Sequence, residues 1–430
     1  MATFARDLLE SLFRTAVSAA QPAQCLPPHL PEPPPSGCLY LLAAGKAGAS
    51  LAETAEQYYL PRLATDRLKG ISVTRHGYGR PTRRIEVVEA GHPVPDAAGL
   101  TGAQRMLALA DTASAGDLVL VLLSGGASAN LIAPAAGISL ADKQSVTRAL
   151  LRSGANIGEI NCVRKHLSRI KGGRLARHAY PARVVTLAIS DVPGDDPAVI
   201  GSGPTVPDPT TLADAREIVR RYRLDLGEAV TRALSDPANE SPKPGDAIFA
   251  GTTYRVVARP ADALAAARRR AEAAGYDCVV LGDRLQGEAR DVAAEHARLA
   301  REVRGQGRRA AILSGGELTV TLRGQGRGGP NQEYALALSI HLEGAKGIAA
   351  LAADTDGTDG GSGRPDDPAG AFVDDTTLAR ARSLGLDPAA FLADNDSTGF
   401  FNGIGDLFRP GPTFTNVTDF RAIVVDGSAS

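Results

Sequence analysis

The apolar positions of this chain change period several times, and each change marks an element. Residues 1–20 place Phe4, Leu8, Leu9, Leu12, Phe13 and Val17 at helical spacing, which predicts an amphipathic helix. Prolines crowd residues 27–35 and predict a linker. Short, nearly uninterrupted apolar runs follow at 38–44, 85–90, 117–123 and 184–189. Such runs suit strands, and the most apolar, 117–123, reads as buried on both faces. A helix is predicted from about Leu51, and further helices reach about Leu234. A second proline-containing stretch, 237–244, predicts a domain boundary. Beyond it come strands at 247–250, 278–281 and 348–353, and helices at 260–274 and 287–304. Between these lies the segment 311–334: a short strand into Ser314-Gly315-Gly316, a second strand at 317–322, a glycine loop, and a helix from Pro330. Strand, turn and helix in alternation predict an α/β fold. With the boundary, they predict two domains, 1–240 and 245–430.

Composition narrows the classes. At 430 residues and 43% hydrophobic, the chain can bury two sizeable cores. A net charge of −1 predicts no broad attraction to nucleic acid or to a membrane surface. No run of about 18 apolar residues is present, so no spanning segment is expected. Arg6, Asp7, Glu10 and Arg14 exclude a signal-peptide core at the start. Cys25, Cys38, Cys162 and Cys278 are scattered without metal spacing and fit reduced thiols, hence a cytoplasmic protein. Of 47 basic residues only seven are lysines, which draws attention to Lys46, Lys165 and Lys171.

The candidate chemistry sits in the loops after the strands. Strand 38–44 runs into Gly45-Lys46-Ala47-Gly48, a turn of the kind that places ligands at strand ends in open sheets. It is not a P-loop, because Tyr40 and Ala47 stand where that pattern needs Gly and Ser or Thr. Strand 117–123 delivers Ser124-Gly125-Gly126-Ala127-Ser128, which fits a small-ligand pocket or a tight turn needing small side chains. The same strand-into-Ser-Gly-Gly pattern recurs at Ser314, so the two turns read as two crevices or two walls of one. Residues 161–174 pack six basic side chains into fourteen positions, either a solvated face or the wall of an anion site. Asp191 ends strand 184–189, and Asp354 ends strand 348–353 ahead of Asp356 and Asp359. His92 stands alone in a proline-flanked turn. Gly324, Gly326, Gly328 and Gly329 free the backbone to curl around a ligand, with Arg327 among them. The N-terminus of the following helix is expected to bind an anion; a hairpin tip with a helix cap would read the same.

Isolated cations and isolated carboxylates on glycine loops are the set that phosphoryl transfer needs. No nucleophile elbow and no Cys/His cluster is found. A rival reading comes from Gly324-x-Gly326-x-x-Gly329, which matches the dinucleotide fingerprint, with Asp354 near the place of a ribose-binding carboxylate.

Six blocks carry a resemblance that covers nearly the whole chain: GKAGAS at Gly45, LLSGGASA at Leu122, NCVRKHLSRIKGGRLA at Asn161, SDVPGDDPAVIGSGPT at Ser190, LSGGELTVTLRGQGRGGPNQEYAL at Leu313 and AADTDGTDGGSG at Ala352. In this order they resemble the glycerate kinases whose C-terminal portion is called the MOFRL domain, also labelled hydroxypyruvate reductases of the tartrate-degradation type. The resemblance implies a larger Rossmann-like N-terminal domain, a smaller α/β C-terminal domain and an active site in the cleft between them. It implies ATP-dependent phosphorylation of D-glycerate to 2-phosphoglycerate, or alternatively 3-phosphoglycerate, with Mg²⁺ or another divalent cation. Lys46 and Arg327 match the family's candidate catalytic lysine and arginine, and Asp191 joins them as a candidate catalytic carboxylate. Candidate substrate and nucleotide contacts are Gly45, Ser124, Gly125, Gly126, Ser128, Lys171, Ser314, Gly315, Glu317, Gly326, Asn331 and Asp354; candidate metal ligands are Asp191 and Asp354. Small molecules are the expected partners, with neither nucleic acid nor membrane, and a homodimer is compatible. The alternative activity is an NAD(P)H-dependent hydroxypyruvate reductase.

Overall fold

The structure, a computed structural model, describes residues 2–360, 364 and 366–427. Two compact units share the chain. Residues 25–257 form a central unit; residues 1–24 and 258–430 form a terminal unit.

In the central unit, β1 (Leu39–Ala44), β2 (Leu68–Arg75), β3 (Ile85–Ala90), β4 (Leu118–Leu123), β5 (Arg183–Ile189) and β6 (Thr252–Ala258) form one sheet. Its order is β3-β2-β1-β4-β5-β6, and β1 to β5 pair in parallel. The chain starts in the middle, runs outward to β3, then returns past β1 to lay down β4. The direction therefore reverses between β1 and β4, where open sheets of this type hold ligands at the carboxyl ends of the strands. Both strands are buried at all six positions, as uninterrupted apolar runs require. Helix Ala97–Ala110 lies close over β2, because a Cβ on its Gly102 would come within 2.8 Å of the Val73 side chain. Helices Leu140–Arg152, Ile157–His166, Leu212–Arg221 and Glu228–Ser235 gather a second core around Leu150, Val163 and Val230. Capping boxes at Ser139, Asn156 and Thr211 start three of them.

The boundary lies further along the chain than the prolines suggest. Residues 247–249 form a single 3₁₀ turn rather than a strand. The strand comes after it, as β6, and the Val184 amide donates to the Gly251 carbonyl at its entry (3.1 Å). β6 thus completes the central sheet instead of opening the next unit.

The terminal unit contains β7 (Asp277–Leu285), β8 (Ala310–Gly316), β9 (Ile348–Asp354), β10 (Gly370–Val373), β11 (Leu407–Phe408) and β12 (Asp419–Val425), in the order β11-β10-β9-β12-β8-β7. β7 and β8 are parallel, while β12 runs antiparallel to β8 and β9 between them. The expected strand at 317–322 does not form; Thr319 alone bridges to Glu288. Side chains hold this backbone instead of a neighbouring strand. The Thr321 amide donates to Glu288 (3.0 Å), and Asn395 donates to the Thr321 carbonyl (3.3 Å) while accepting from the Arg323 amide (2.7 Å).

The first helix, Ala2–Ala19, packs in this unit. Phe13 meets Phe408 and Phe420 edge to face at 5.0 and 6.0 Å, and Arg6 pairs with buried Asp406. No helix among the described residues is long and apolar enough to cross a membrane.

Phe13 is 1% exposed, so its replacement by alanine should cost about 3–5 kcal/mol. Hydrogen exchange should show the loss in β8, β9 and β12 and leave β1 to β5 protected. Deprotection of the central sheet alone would mean that the helix supports the other unit.

Candidate active-site elements

Two turns meet at the switch point of the central sheet. Gly45 follows β1 with φ +111°, and a Cβ there would lie 2.4 Å from Ser124 Oγ, so only glycine allows the approach. The Lys46 amide donates to the Gly125 carbonyl (2.7 Å), and the Ala47 amide donates to Ser124 Oγ (2.9 Å). Ser124 is fully buried, and its hydroxyl therefore fixes the turn that presents Lys46. Gly126, at φ +84°, leaves room for the His92 ring and the Lys46 stem, which would stand 2.9 and 3.2 Å from a Cβ there. His92 is thus brought beside Lys46, which its isolation in the sequence did not suggest.

Ser128 links this turn to a basic layer beneath it. Its hydroxyl hydrogen-bonds with that of Ser202 (2.9 Å), and its carbonyl accepts from Lys171 Nζ (2.7 Å) and from Arg164 (3.5 Å). Lys171 is 1% exposed. Burial, with Arg164 and Lys143 adding to it, pushes its ammonium well below the usual lysine range. Asp191 is half-buried just past β5, the strand next to β4. It raises the Tyr254 hydroxyl further, after burial and Asp196, and that hydroxyl is buried with no hydrogen-bond partner among the described residues.

In the terminal unit the Ser-Gly-Gly turn has a different role. Ser314, Gly315 and Gly316 remain inside β8, and buried Arg421 on β12 donates to Ser314 Oγ (3.3 Å) and to the carbonyls of Gly315 and Gly316. Arg421 also donates to Asp419 (2.9 Å), which accepts from the Asn331 side chain (2.7 Å). Asp354 lies opposite Asp419 in the β9–β12 register, and its carboxylate accepts from the Asp356 amide (2.9 Å). Ser314, Gly315 and Asn331 are thereby drawn into one network around Arg421 and Asp419, and Asp354 is the strand partner of Asp419. Glu317 is exposed beyond the end of β8.

The anion site expected at the helix after the glycine loop is occupied by the chain itself. Helix Pro330–Leu342 begins at a carboxylate: Asp359 accepts from the Asn331 amide (3.1 Å) and the Gln332 amide (2.9 Å), and from both side-chain amides. A carboxylate at that position satisfies the orphan N–H groups and the positive end of the helix dipole. The glycines are also accounted for without a ligand. A Cβ on Gly324, Gly326, Gly328 or Gly329 would come within 2.4 Å of Asp394, Asp396, Ser397 or Asp359. The dinucleotide fingerprint loses both its strand and its free helix N-terminus. What the loop does present is Arg327. Its backbone is held by Asp396 (3.1 Å) and Thr398 (2.9 Å), and its side chain is exposed. A 380 Å³ hollow lined by Gly326, Gly328, Gly329, Glu333 and Asn395 lies in the same loop. Three residues of the block at Ala352, Gly361 to Gly363, lie outside the described residues.

No three His, Cys, Asp or Glu side chains among the described residues group as a metal site. Sequence reading missed Arg421, Asp419 and Lys143, and it named Asp359 without placing it at the start of helix Pro330–Leu342. Arg421 interrupts an apolar strand at a buried position, and Lys143 is one of only seven lysines; both signals were there to be read.

Comparison with known proteins places the whole chain. A family model described as a domain of unknown function, DUF4147, matches residues 8–235, and the MOFRL family model matches residues 310–419. An Agrobacterium vitis protein provisionally named hydroxypyruvate reductase is 48% identical over 98% of this chain and 94% of its own. A Thermotoga maritima D-glycerate 2-kinase is 39% identical over 88% of each. The crystal structure of a glycerate kinase from Thermotoga maritima superposes with a TM-score of 0.86 at 36% identity, covering 98% of this chain and all of that one.

Burial and Asp419 push Asp359 up to about 7, against the pull of its hydrogen bonds. Its folded value lies above the unfolded one of about 3.9, so the folded state keeps a proton that the unfolded chain releases. That stabilisation is complete below about pH 4 and is lost as pH rises to about 7. Denaturation midpoints of the terminal unit should fall across this window, and Asp359→Asn should flatten the fall. An unchanged slope in the variant would place the proton elsewhere.

Proposed function

Because this chain belongs to the glycerate kinase family, we propose that it transfers the γ-phosphoryl group of ATP to a hydroxyl of D-glycerate. Its likeness to the Thermotoga maritima enzyme along both full chains supports this reading most. The reading includes 2-phosphoglycerate as product, with 3-phosphoglycerate as the alternative. It includes a cytoplasmic location, where ATP is available, and a homodimer is compatible with it.

In the mechanism we infer, the glycerate hydroxyl oxygen attacks the γ-phosphorus, the bond to the β,γ-bridging oxygen breaks, and ADP leaves. Lys46, held over Ser124 by its own backbone, supplies positive charge to the transferring group. Arg327 supplies a second cation from a loop whose backbone is fixed while its side chain is exposed. Asp191 orients the attacking hydroxyl and takes its proton. Gly45, Gly125, Gly126, Ser128 and Lys171 line the switch-point side; Ser314, Gly315, Glu317, Gly326, Asn331 and Asp354 serve the other substrate contacts. Asp191 and Asp354 are the candidate residues that would hold a divalent cation, Mg²⁺ in the first instance, which would supply positive charge to the phosphates.

The second reading is reduction of hydroxypyruvate with NAD(P)H, favoured by the name of the Agrobacterium vitis relative. Asp359 at the helix N-terminus counts against a pyrophosphate seated there.

An ADP-release assay with D-glycerate, ATP and Mg²⁺ should show turnover that vanishes on chelation, and phosphorus NMR should identify the product. Lys46→Ala and Arg327→Ala should each lower kcat by about a thousandfold, the scale of comparable charge clamps. Wild-type turnover in both variants would remove these two residues from the mechanism. Oxidation of NADH with hydroxypyruvate, without ADP release, would establish the reductase instead.

A further inference from the structure

The central unit buries positive charge that nothing in it balances. Lys143, on helix Leu140–Arg152, is 4% exposed, and Lys171, in the loop after helix Ile157–His166, is 1% exposed. Lys143 Nζ donates to the Arg164 carbonyl (3.2 Å), and Lys171 Nζ donates to the Ser128 carbonyl (2.7 Å). An ammonium has three N–H donors. Two on each lysine find no acceptor among the described residues. Arg164 joins them with a single long bond to the same Ser128 carbonyl (3.5 Å). No carboxylate among the described residues lies within ion-pair distance of the three. Asp208, buried in the same unit, is paired with Lys165 (3.5 Å).

Buried charge without a counter-ion is destabilising, and proteins retain it where a ligand completes the pair. The fold also shows that ion pairs are available to it. Arg290 meets Glu333, and Arg421 meets Asp419, each buried or nearly so. Lys171 and Arg164 meet at the Ser128 carbonyl, four residues past the serine that closes the switch-point turn, and Lys143 is close enough to add to the lowering of Lys171. A ligand oxyanion reaching that point would meet several donors in a dry setting, where each counts for more than in water.

We propose that Lys143, Arg164 and Lys171 together bind one oxyanion of the reacting molecules, the glycerate carboxylate or a nucleotide phosphate. The identity of the ligand rests on the kinase reading; the existence of the site does not. Burial, then Arg164 and Arg174, pushes Lys143 down to about 7, and Lys171 is lowered as well. An arriving anion favours the charged lysines and raises both. Binding at pH 8 therefore takes up protons.

The test uses the full chain and titration calorimetry with D-glycerate, ADP and inorganic phosphate as separate probes. Lys143→Met and Lys171→Met keep the stem and remove the charge. Each should weaken at least one probe by about tenfold or more. Weakening of D-glycerate alone assigns the carboxylate; weakening of ADP or phosphate alone assigns the phosphate. Affinities within about twofold of wild type in folded variants overturn the proposal. Should a variant fail to fold, wild-type titrations at pH 8 in buffers of different ionisation enthalpy decide: proton uptake supports the site, and none overturns it. An active wild type whose variants bind normally would refute this site and spare the kinase. An inactive wild type whose variants lose oxyanion binding would do the reverse.

Discussion

Everything at the switch point of the central sheet depends on one close approach. Gly45 passes Ser124 with no space for a β-carbon, and the Ser124 hydroxyl then receives the amide just beyond Lys46. The strands on either side, β1 and β4, are buried along their full length, so neither can shift to relieve a side chain at Gly45. Rigidity of the sheet thus becomes rigidity of the turn. A lysine has four flexible methylenes and is a poor positional device by itself. Here its backbone amide and the next one are both anchored, so the point from which the side chain springs is fixed.

The terminal unit shows how far the same letters can diverge in meaning. Ser-Gly-Gly after β4 opens a turn that leads to Ser128. Ser-Gly-Gly in β8 stays in the sheet, and its carbonyls are consumed by Arg421. The difference comes from the neighbour. β4 lies between parallel strands whose ends leave a crevice, whereas β8 lies beside antiparallel β12, which carries Arg421 and Asp419 up to the same end. Likewise the glycine loop is small because residues 359 and 394–397 lie against it, a cause that lies about thirty residues away for the first and more than sixty for the others.

These cases mark the limit of what the chain disclosed before its structure. Buried parallel strands were legible because they leave uninterrupted apolar runs, and so β1, β4 and β5 and the turns after them were found close to where they lie. The family resemblance was legible because six blocks keep their order. What failed was long-range bookkeeping. The segment 317–322 has strand composition, yet Glu288 and Asn395 occupy its backbone. The helix at Pro330 has a free-looking N-terminus, yet Asp359 fills it from 28 residues away. The N-terminal helix has a clear apolar face, and no local pattern says that Phe408 and Phe420 receive it.

Charge balance discriminates better than glycine content between scaffold and site. In the terminal unit the buried ions close on one another: Arg421 with Asp419, Asn331 between Asp419 and Asp359, and Asp359 on the helix it starts. Such a network carries its own counter-charges and fixes the backbone beside the loop that carries Arg327. In the central unit Lys143 and Lys171 close only on backbone carbonyls, and the charges that act on them are cations. A protein that solved one burial problem with carboxylates had the same solution open to it in the other. Leaving it unsolved places the missing negative charge outside the chain, on what the chain binds.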